Sequence, residues 1–279
     1  MRLALLCLFV ITCATAMPEF SGELIFPLEH WHNHSSSVVE LPNGDLLVCW
    51  FHGSGERTAD DVLIQAARWN KASGKWTQPF TLADTPGFPE TNPTMFIDSR
   101  RRLFLLWPLI IAHQWETALM KYRISTDYQQ ASGPPRWEFQ DNIVLIPKNI
   151  AARTKEFAGK DAEGTGRRAE YAAKLIEHAN NEYFSRMGWF TRTHPLQLPS
   201  GRILAPMYSD GFSFGIMAIS DDGGYTWSAS EPIVGYGCIQ PSVVRKNDGT
   251  LVAYLRDNGP PPKRAMISYS KDDGVTWTP

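Results

Sequence analysis

The sequence predicts an all-β fold of the β-propeller type, in which short antiparallel sheets are arranged around a central axis. The pattern Ser-x-Asp-x-Gly-x-Thr-Trp occurs twice, as SDDGGYTW at 220–227 and as SKDDGVTW at 270–277. In addition, four segments share one plan, in which two apolar runs flank a hairpin turn and a third run leads into a turn that ends in Trp. Units of roughly 40 to 50 residues with three or four strands each are typical of propeller blades.

The four units follow one another along most of the chain. Their first halves are SSSVVELPNGDLLVCWF, NPTMFIDSRRRLFLLWP, THPLQLPSGRILAPMYS and QPSVVRKNDGTLVAYLR, and the closing tryptophans are Trp76, Trp137, Trp227 and Trp277. Each first half places a turn between two apolar runs, which is the pattern of a β-hairpin. We therefore expect each unit to form one antiparallel sheet.

The repeated Trp-ending turn is expected to stabilise a sheet rather than to carry chemistry. Asp222 and Asp272 can accept hydrogen bonds from the backbone amides that follow them, and Gly224 and Gly274 can supply a positive φ. We expect the closing Trp to pack into the seam of its own blade. A metal site at these aspartates is disfavoured.

The segment between the second and third units interrupts the β pattern. The stretch GRRAEYAAKLIEHANNEYFSRMG has small and apolar residues at helical spacing and ends at Gly188, which predicts an amphipathic helix. The preceding stretch, AARTKEFAGKDAEGTG, is polar and is expected to be a loop. The sequence thus predicts a helical insertion over about residues 150–187, packed against the flank of the propeller.

The N-terminus has the organisation of a secretory signal peptide. A charged residue precedes a short apolar core, Leu3–Ile11, and a small-x-small cleavage site follows at Ala14–Ala16. The apolar run is too short to span a bilayer as a stable helix. We therefore expect a cleaved signal over residues 1–16 and a secreted or periplasmic protein, with lipidation at Cys13 as the less favoured alternative.

The composition excludes some classes of partner. The chain has 279 residues, and its 27 Lys and Arg nearly balance its 29 Asp and Glu. Because nucleic-acid binding requires a basic surface, no nucleic-acid partner is expected. After signal removal Cys49 and Cys238 remain, far apart in sequence. We expect two buried free thiols, with a disulfide as the alternative in an oxidising compartment.

With these motifs the chain resembles the sialidase (neuraminidase) superfamily, specifically its bacterial-type Asp-box or BNR-repeat proteins. The two Trp-ending turns match the Asp-box pattern at every defined position. The run LPNGDLLVCWFHGSGERTADDVLIQAARW is similar to a sialidase segment with a hairpin, an arginine and a loop aspartate. The resemblance covers nearly all of the mature chain, 17–279. It implies a six-bladed β-propeller, of which about four blades are present here.

The resemblance also implies roles for individual residues. Sialidases bind the carboxylate of sialic acid through arginines and use a Tyr nucleophile with a loop Asp as acid and base. Asp61 lies where that Asp is expected, and Asp60 is the alternative for the same role. Arg57 resembles the arginine that lies just ahead of the acid. Arg256, in VAYLRDNG, resembles a second substrate-binding arginine, and Arg264 on the next strand is its substitute.

Each assignment also has a purely structural alternative. Asp61 would then be an ordinary solvated loop aspartate, and Arg256 would pair with Asp257 or Asp272 at the surface. Because Arg256 follows an apolar strand that should run along the propeller axis, we expect it to face a central pocket.

The chain departs from the sialidase pattern in its binding site. Where sialidases place the first arginine, ahead of the LPxG hairpin, this chain has His34, and where they place the Glu that polarises the Tyr it has Cys238 and Gln240. We expect His34 and Gln240 to contact the sugar. A zinc site is the alternative, because His30, His32 and His34 would share one face of a strand.

The third arginine and the Tyr nucleophile of sialidases are expected in fifth and sixth units. Four units leave an open blade edge and cannot close a ring. We therefore expect the sequence to be a fragment or truncated product that is unstable or inactive by itself, with a ring completed by another chain as the alternative.

Two function classes remain open on the sequence alone. The first is a secreted exo-glycosidase of the sialidase type that hydrolyses a terminal acidic sugar, sialic acid or similar, from glycans; Arg57, Asp61 and Arg256 favour it. The second is a propeller that only binds glycans, or an enzyme (hydrolase or lyase) that acts on another acidic sugar; His34 and the missing Glu favour it. The expected partner is a glycan or oligosaccharide with an acidic terminal sugar. We expect no metal or other cofactor and no stable membrane insertion.

Overall fold

The computed structural model describes residues 20–259 and 261–278. The signal peptide predicted for residues 1–16 lies outside these residues. The described chain folds into four antiparallel sheets, one from each of the four predicted units, with a helical segment between the second and third sheets. Apart from this segment the architecture is all-β, and it is consistent with a β-propeller.

The first two sheets precede the helical segment. The strands of the first sheet are β1 (His32–Glu40), β2 (Leu46–Gly53), β3 (Leu63–Asn70), β4 (Lys75–Trp76) and β5 (Phe80–Ala83). They pair in the order β1-β2-β3-β4, and β5 pairs with β3. The strands of the second sheet, which pair in sequence order, are β6 (Thr94–Ile97), β7 (Leu103–Ile110), β8 (Ala118–Ser125) and β9 (Phe139–Ile143).

The other two sheets follow the helical segment. The strands of the third sheet are β10 (Phe190–Thr191), β11 (Leu196–Gln197), β12 (Ile203–Ser209), β13 (Phe214–Ser220) and β14 (Ser228–Ala229). They pair in the order β10-β12-β13-β14, and β11 also pairs with β12. The strands of the fourth sheet, which pair in sequence order, are β15 (Cys238–Arg245), β16 (Leu251–Asp257) and β17 (Met266–Ser270).

Apolar side chains fill the seams between consecutive sheets. Leu47 and Ile64 of the first sheet form one buried cluster with Met95 and Leu105 of the second. A second cluster joins the second and third sheets, and a third joins the third and fourth. The first strands of the first two sheets, β1 and β6, are in contact, and β15 contacts β12. Each sheet is thus covered by its neighbours in the chain.

Three helices lie in the segment between the second and third sheets within the described residues. They are α1 (Ile150–Ala162), α2 (Arg167–Ala179) and α3 (Glu182–Arg186). The expectation of a loop over residues 151–166 is wrong for most of that stretch, which forms α1. The stretch is rich in Ala, Lys and Glu, which favour helix, and the spacing of Ile150, Thr154 and Ala158 buries one face. No helix in the described part of the chain is long and apolar enough to cross a membrane.

The Trp-ending turns have the hydrogen bonds that the sequence predicts. Asp222 Oδ1 accepts from the backbone N–H groups of Tyr225 (2.9 Å) and Thr226 (3.0 Å), and Asp222 Oδ2 accepts from Thr226 Oγ1 (2.7 Å). The corresponding bonds surround Asp272 in the second turn. Burial by itself would raise these carboxyl pKa values, but the hydrogen bonds hold the pKa of both aspartates below the usual range. The prediction of a structural turn is confirmed.

The closing tryptophans Trp227 and Trp277 lie at the seam between their own sheet and the preceding one. Trp227 lies edge-on against Tyr122 of β8, with ring centroids 5.8 Å apart, and Trp277 packs in one cluster with Leu204 of β12. Each Trp therefore lies in the seam with the preceding sheet. The turn itself lies directly on that sheet, because a Cβ at Gly224 would come within 2.5 Å of the Phe104 ring.

A repeated arginine contact also joins consecutive sheets. Arg102 Nη2 donates to the carbonyl oxygen of Gly223 (2.7 Å), and Arg202 Nη1 donates to the carbonyl oxygen of Asp273 (3.2 Å). Gly223 and Asp273 occupy the same position in the two Trp-ending turns. A hairpin arginine of one sheet thus binds the Trp-ending turn of the next sheet, a contact that the sequence analysis did not predict.

The two cysteines in the described residues are buried free thiols. Burial raises the pKa of Cys49 far above its usual range and that of Cys238 to about 11. The expectation of free thiols rather than a disulfide is confirmed.

Candidate active site

A polar cavity of about 250 Å³ receives side chains from all four sheets or from the loops that follow their strands. A first group of lining residues comes from the beginning of each sheet. These residues precede the hairpin residue of positive φ by nine positions (Asn92 to Arg101, Arg192 to Gly201, Gln240 to Gly249) or by ten (His34 to Gly44). Each unit therefore contributes to the cavity lining a residue that lies nine or ten positions before its hairpin turn.

A second group comes from the end of the second strand of each hairpin. Glu56 follows β2, Trp115 follows β7, Asp210 follows β12, and Arg256 lies at the end of β16. Because the two strands of a hairpin are antiparallel, the beginning of the first and the end of the second lie at the same edge of a sheet. The cavity is therefore formed where this edge of all four sheets meets.

The side chain of Arg192 is fixed by residues from two other sheets. Its Nη1 donates to Asn92 Oδ1 (3.0 Å), and its Nη2 lies 3.2 Å from His34 Nε2. Since a guanidinium has only donors, His34 Nε2 is the acceptor and its imidazole is neutral. Burial and, after it, the charge of Arg192 lower the pKa of His34, which favours this neutral state. A rigid guanidinium thus faces the cavity.

Asp210, like Glu56, is a carboxylic acid that lines the cavity. Burial and the nearby carboxylate of Glu116 raise its pKa to about 6, although Arg256 and Arg57 oppose the shift. A carboxyl group that titrates near neutral pH is suited to general acid catalysis, because it is protonated in part and still gives up its proton readily.

Tyr208 is a buried neutral phenol beside Asp210. Its hydroxyl oxygen accepts a hydrogen bond from Gln240 Nε2 (3.3 Å). Burial raises the pKa of Tyr208 well above its usual range. The hydroxyl is therefore neutral and can donate a hydrogen bond into the cavity.

The structure brings three of the predicted site residues together in the cavity. The arginines Arg57 and Arg264 are not part of its lining. His34, Gln240 and Arg256 line the cavity. Arg57 lies at its border, with its guanidinium 5.5 Å from the centroid of the Trp115 ring. Arg264 lines a separate surface cavity, which Arg256 also lines.

The two predicted catalytic aspartates lie on the loop after β2. Asp61 Oδ1 accepts hydrogen bonds from the backbone N–H (3.1 Å) and the hydroxyl (2.9 Å) of Ser54. Asp60 Oδ1 lies 2.6 Å from His113 Nε2. Among the described residues of this loop, Glu56 lines the cavity. A catalytic role for Asp61 or Asp60 stays a prediction.

The sequence analysis missed several residues of the cavity, and one of them had a readable signal. Arg192 precedes the LPSG hairpin of the third unit much as His34 precedes the LPNG hairpin of the first. Tyr208 and Asp210, in MYSDG, carry no comparable motif, because their burial depends on contacts between sheets.

The fold of the chain is similar to that of sialidases. It is similar to a Dyadobacter fermentans protein of unknown function, with a TM-score of 0.63, 18% identity, and coverage of 91% of this chain and 70% of that one. The leech intramolecular trans-sialidase, complexed with 2,7-anhydro-Neu5Ac, gives 0.63 at 14% identity, over 94% of this chain and 53% of that one. The Trypanosoma rangeli sialidase, in complex with the inhibitor DANA, gives 0.61 at 13% identity, over 89% and 38%. The chain thus spans about half of the leech protein and less of the trypanosomal one.

The family is shown by sequence. The family model of the BNR repeat-like domain matches residues 44–279, which is most of the chain. The protein belongs to this family of BNR repeat-like domains. Among curated proteins, none matches the chain.

Proposed function

We propose that the protein is a secreted glycoside hydrolase of the sialidase type, which removes a terminal acidic sugar, sialic acid or a similar one, from glycans. The observation that carries the proposal is the presence of Arg192 and Arg256 in one polar cavity with the titratable acid Asp210. The proposal includes the architecture implied by the resemblance, a six-bladed propeller in which the four sheets are blades.

The two guanidiniums are suited to a sugar carboxylate. Charge-assisted contacts from arginine to carboxylate are among the stronger hydrogen bonds in proteins, and the planar fork of donors matches two oxygens. Arg192 is already held by Asn92 and His34, so little side-chain freedom is lost on binding. The cavity is small for a ligand site, which suits a single terminal sugar residue.

In the proposed reaction Asp210 protonates the glycosidic oxygen as the bond from that oxygen to the anomeric carbon of the acidic sugar breaks. Water then adds to the anomeric carbon and returns a proton to Asp210. Activity should then fall as the pH rises through about 6, because Asp210 loses its proton. Asp61, the acid that the sialidase resemblance implies, is the competing proposal for the same role.

The test is hydrolysis of fluorogenic sialoside and glucuronide substrates. We expect Asp210→Asn to lower kcat about 100-fold or more and to remove the decline above pH 6, while Asp61→Asn has a smaller effect. Asp141→Asn, an exposed aspartate of β9, is the matched control and should leave turnover unchanged. A larger loss in Asp61→Asn than in Asp210→Asn would transfer the acid role to Asp61. No turnover of either substrate by the unmodified full-length gene product would reject the hydrolase.

A lyase that acts on a uronic acid is the second candidate, favoured by the neutral Tyr208 and His34 beside the arginines. Elimination needs a neutralised carboxylate, a base that removes the proton at C5 and an acid that protonates the leaving oxygen at C4. It leaves a conjugated double bond in the product. Ultraviolet absorbance of that bond, with uronate oligosaccharides as substrates, separates the lyase from the hydrolase and from a protein that only binds glycans.

A further inference from the structure

A second and larger cavity, of about 550 Å³, adjoins the candidate active site. The helical segment contributes Arg167, Arg168 and Tyr171 of α2 to its lining. The loop before β15 contributes Tyr236, and the loop after β16 contributes Asn258. Asn258 also lines the smaller cavity. The two cavities are therefore neighbours that share one wall residue.

The wall between the cavities is held in backbone contact. The N–H of Asn258 donates to the carbonyl oxygen of Gly237 (2.9 Å). A Cβ on Gly237, which has a φ of 100°, would lie 2.2 Å from the backbone nitrogen of Gly259. Only glycine permits this approach of the two loops. The wall that separates this cavity from the candidate active site is thus fixed by contact between the two loop backbones.

The helical side is attached to the same loop. The Tyr236 hydroxyl donates to Asp161 Oδ2 (2.6 Å), and Arg168 Nη2 lies 3.0 Å from the same oxygen. The guanidinium of Arg168 also stacks over the Tyr236 ring, 4.8 Å from its centroid. These contacts hold α1 and α2 against the loop that precedes β15.

The cavity carries positive charge and aromatic surface. Asp161 offsets the charge of Arg168, whereas Arg167 has no ion-pair partner among the described residues and is exposed. Tyr171 and Tyr236 lie 6.0 Å apart, centroid to centroid. Phenol rings beside a guanidinium are suited to a sugar ring that bears a carboxylate, since the ring packs on the aromatic face and the acid group binds the cation.

We propose that this cavity is a subsite for an acidic residue of the glycan beyond the terminal sugar that occupies the candidate active site. The inference rests on the proposed binding of an acidic terminal sugar by Arg192 and Arg256. The helical segment then gives the protein a preference for acidic oligosaccharides over glycans with a single terminal acid.

The test is calorimetric binding of probes that differ in length and charge. The single sugars are methyl sialoside and methyl galacturonide. The acidic trisaccharides are trisialic acid and trigalacturonate, and sialyllactose is a trisaccharide of which only the terminal sugar is acidic. In the preferred sugar series, the unmodified protein should bind the acidic trisaccharide about tenfold or more tightly than the single sugar. Sialyllactose should lack this gain.

Two kinds of variant distinguish the two cavities. Arg167→Ala, alone and with Arg168→Ala, should remove most of the gain and leave single-sugar binding unchanged, while Arg167→Lys retains part of it. Arg256→Ala should weaken every probe. The matched control is Arg186→Ala, an exposed arginine of α3 that pairs with Glu182. Thermal melting of each variant verifies folding.

The outcomes are separable. An unchanged gain in the Arg167 and Arg168 variants, or an equal loss of single-sugar binding, overturns the subsite while the proposed function stands. Trisaccharide binding that depends on Arg167 but not on Arg256 overturns the continuity of the two cavities. If no single acidic sugar binds and Arg256→Ala has no effect, the proposed function fails and the subsite fails with it.

Discussion

Arg192 shows how one side chain of the candidate site depends on three sheets. It belongs to the third sheet region, its acceptor Asn92 precedes the second sheet, and its acceptor His34 lies in the first. A carboxylate that enters the cavity therefore meets a guanidinium whose orientation is already set. His34 contributes a neutral acceptor to this arrangement.

Asp210 allows a prediction at the same scale for the dependence of stability on pH. Its folded-state pKa of about 6 lies above the ordinary value of 3.8. A raised pKa means that the folded state binds the proton more tightly than the unfolded state, so the stabilisation is complete below about pH 4 and is lost as the pH rises through about 6. We expect the melting temperature of the unmodified protein to fall, relative to Asp210→Asn, across this interval. If the melting temperatures of the two proteins changed with pH in the same way from pH 4 to 8, the raised pKa of Asp210 would be contradicted.

At the scale of elements, the hairpin arginines connect one sheet to the Trp-ending turn of the next. Arg102 binds Asp98 through Nε and Nη2 as well as the carbonyl of Gly223, and the side chain of Asp98 is fully buried. Arg202 makes the equivalent contact but pairs with Asp221, which is largely exposed. The buried Arg102–Asp98 pair should therefore contribute more to the free energy of unfolding than the exposed Arg202–Asp221 pair.

Replacement of these arginines tests the difference. Arg102→Ala leaves the Asp98 carboxylate buried without its partner, which should destabilise the fold by about 3–5 kcal/mol. Arg202→Ala should lower the free energy of unfolding by only about 1 kcal/mol, because its ion pair is solvated. Denaturant unfolding measures both, with the exposed Arg245→Ala as the control. A change below about 0.5 kcal/mol in Arg102→Ala would show that the contact does not hold the sheets.

Strands, turns and helices could be predicted from the sequence where a short stretch of residues determines them. Hairpin turns, apolar runs and the Asp-containing turns around Asp222 and Asp272 are short-range patterns, and the four sheets follow them. The helix α1 was missed because its buried face is narrow, consisting of Ile150, Thr154 and Ala158.

The candidate site was predictable only in part for the same reason. The hairpin register located His34, Gln240 and Arg256, whereas Asp210 acquires its raised pKa from burial between sheets, which no short motif records.

At the scale of the whole molecule, the four sheets and the helical segment bring positively charged side chains together in two neighbouring cavities. The formal net charge is −2, yet one edge of the sheets gathers Arg192 and Arg256 in the candidate active site, and α2 adds Arg167 to the adjoining cavity. Positive charge in concave sites attracts anionic ligands in spite of the overall charge. Packing of the seams between sheets is therefore a condition for binding.

The most direct test of this claim is calorimetric comparison of an acidic sugar with its uncharged carboxamide, with methyl sialoside and methyl galacturonide as the two parent sugars. The unmodified protein should bind one carboxylate at least about tenfold more tightly than its carboxamide, since charge-assisted hydrogen bonds exceed neutral ones. The double variant Arg192→Ala and Arg256→Ala should lose that preference. Equal binding of carboxylate and carboxamide by the unmodified protein, for both sugars, would contradict the account.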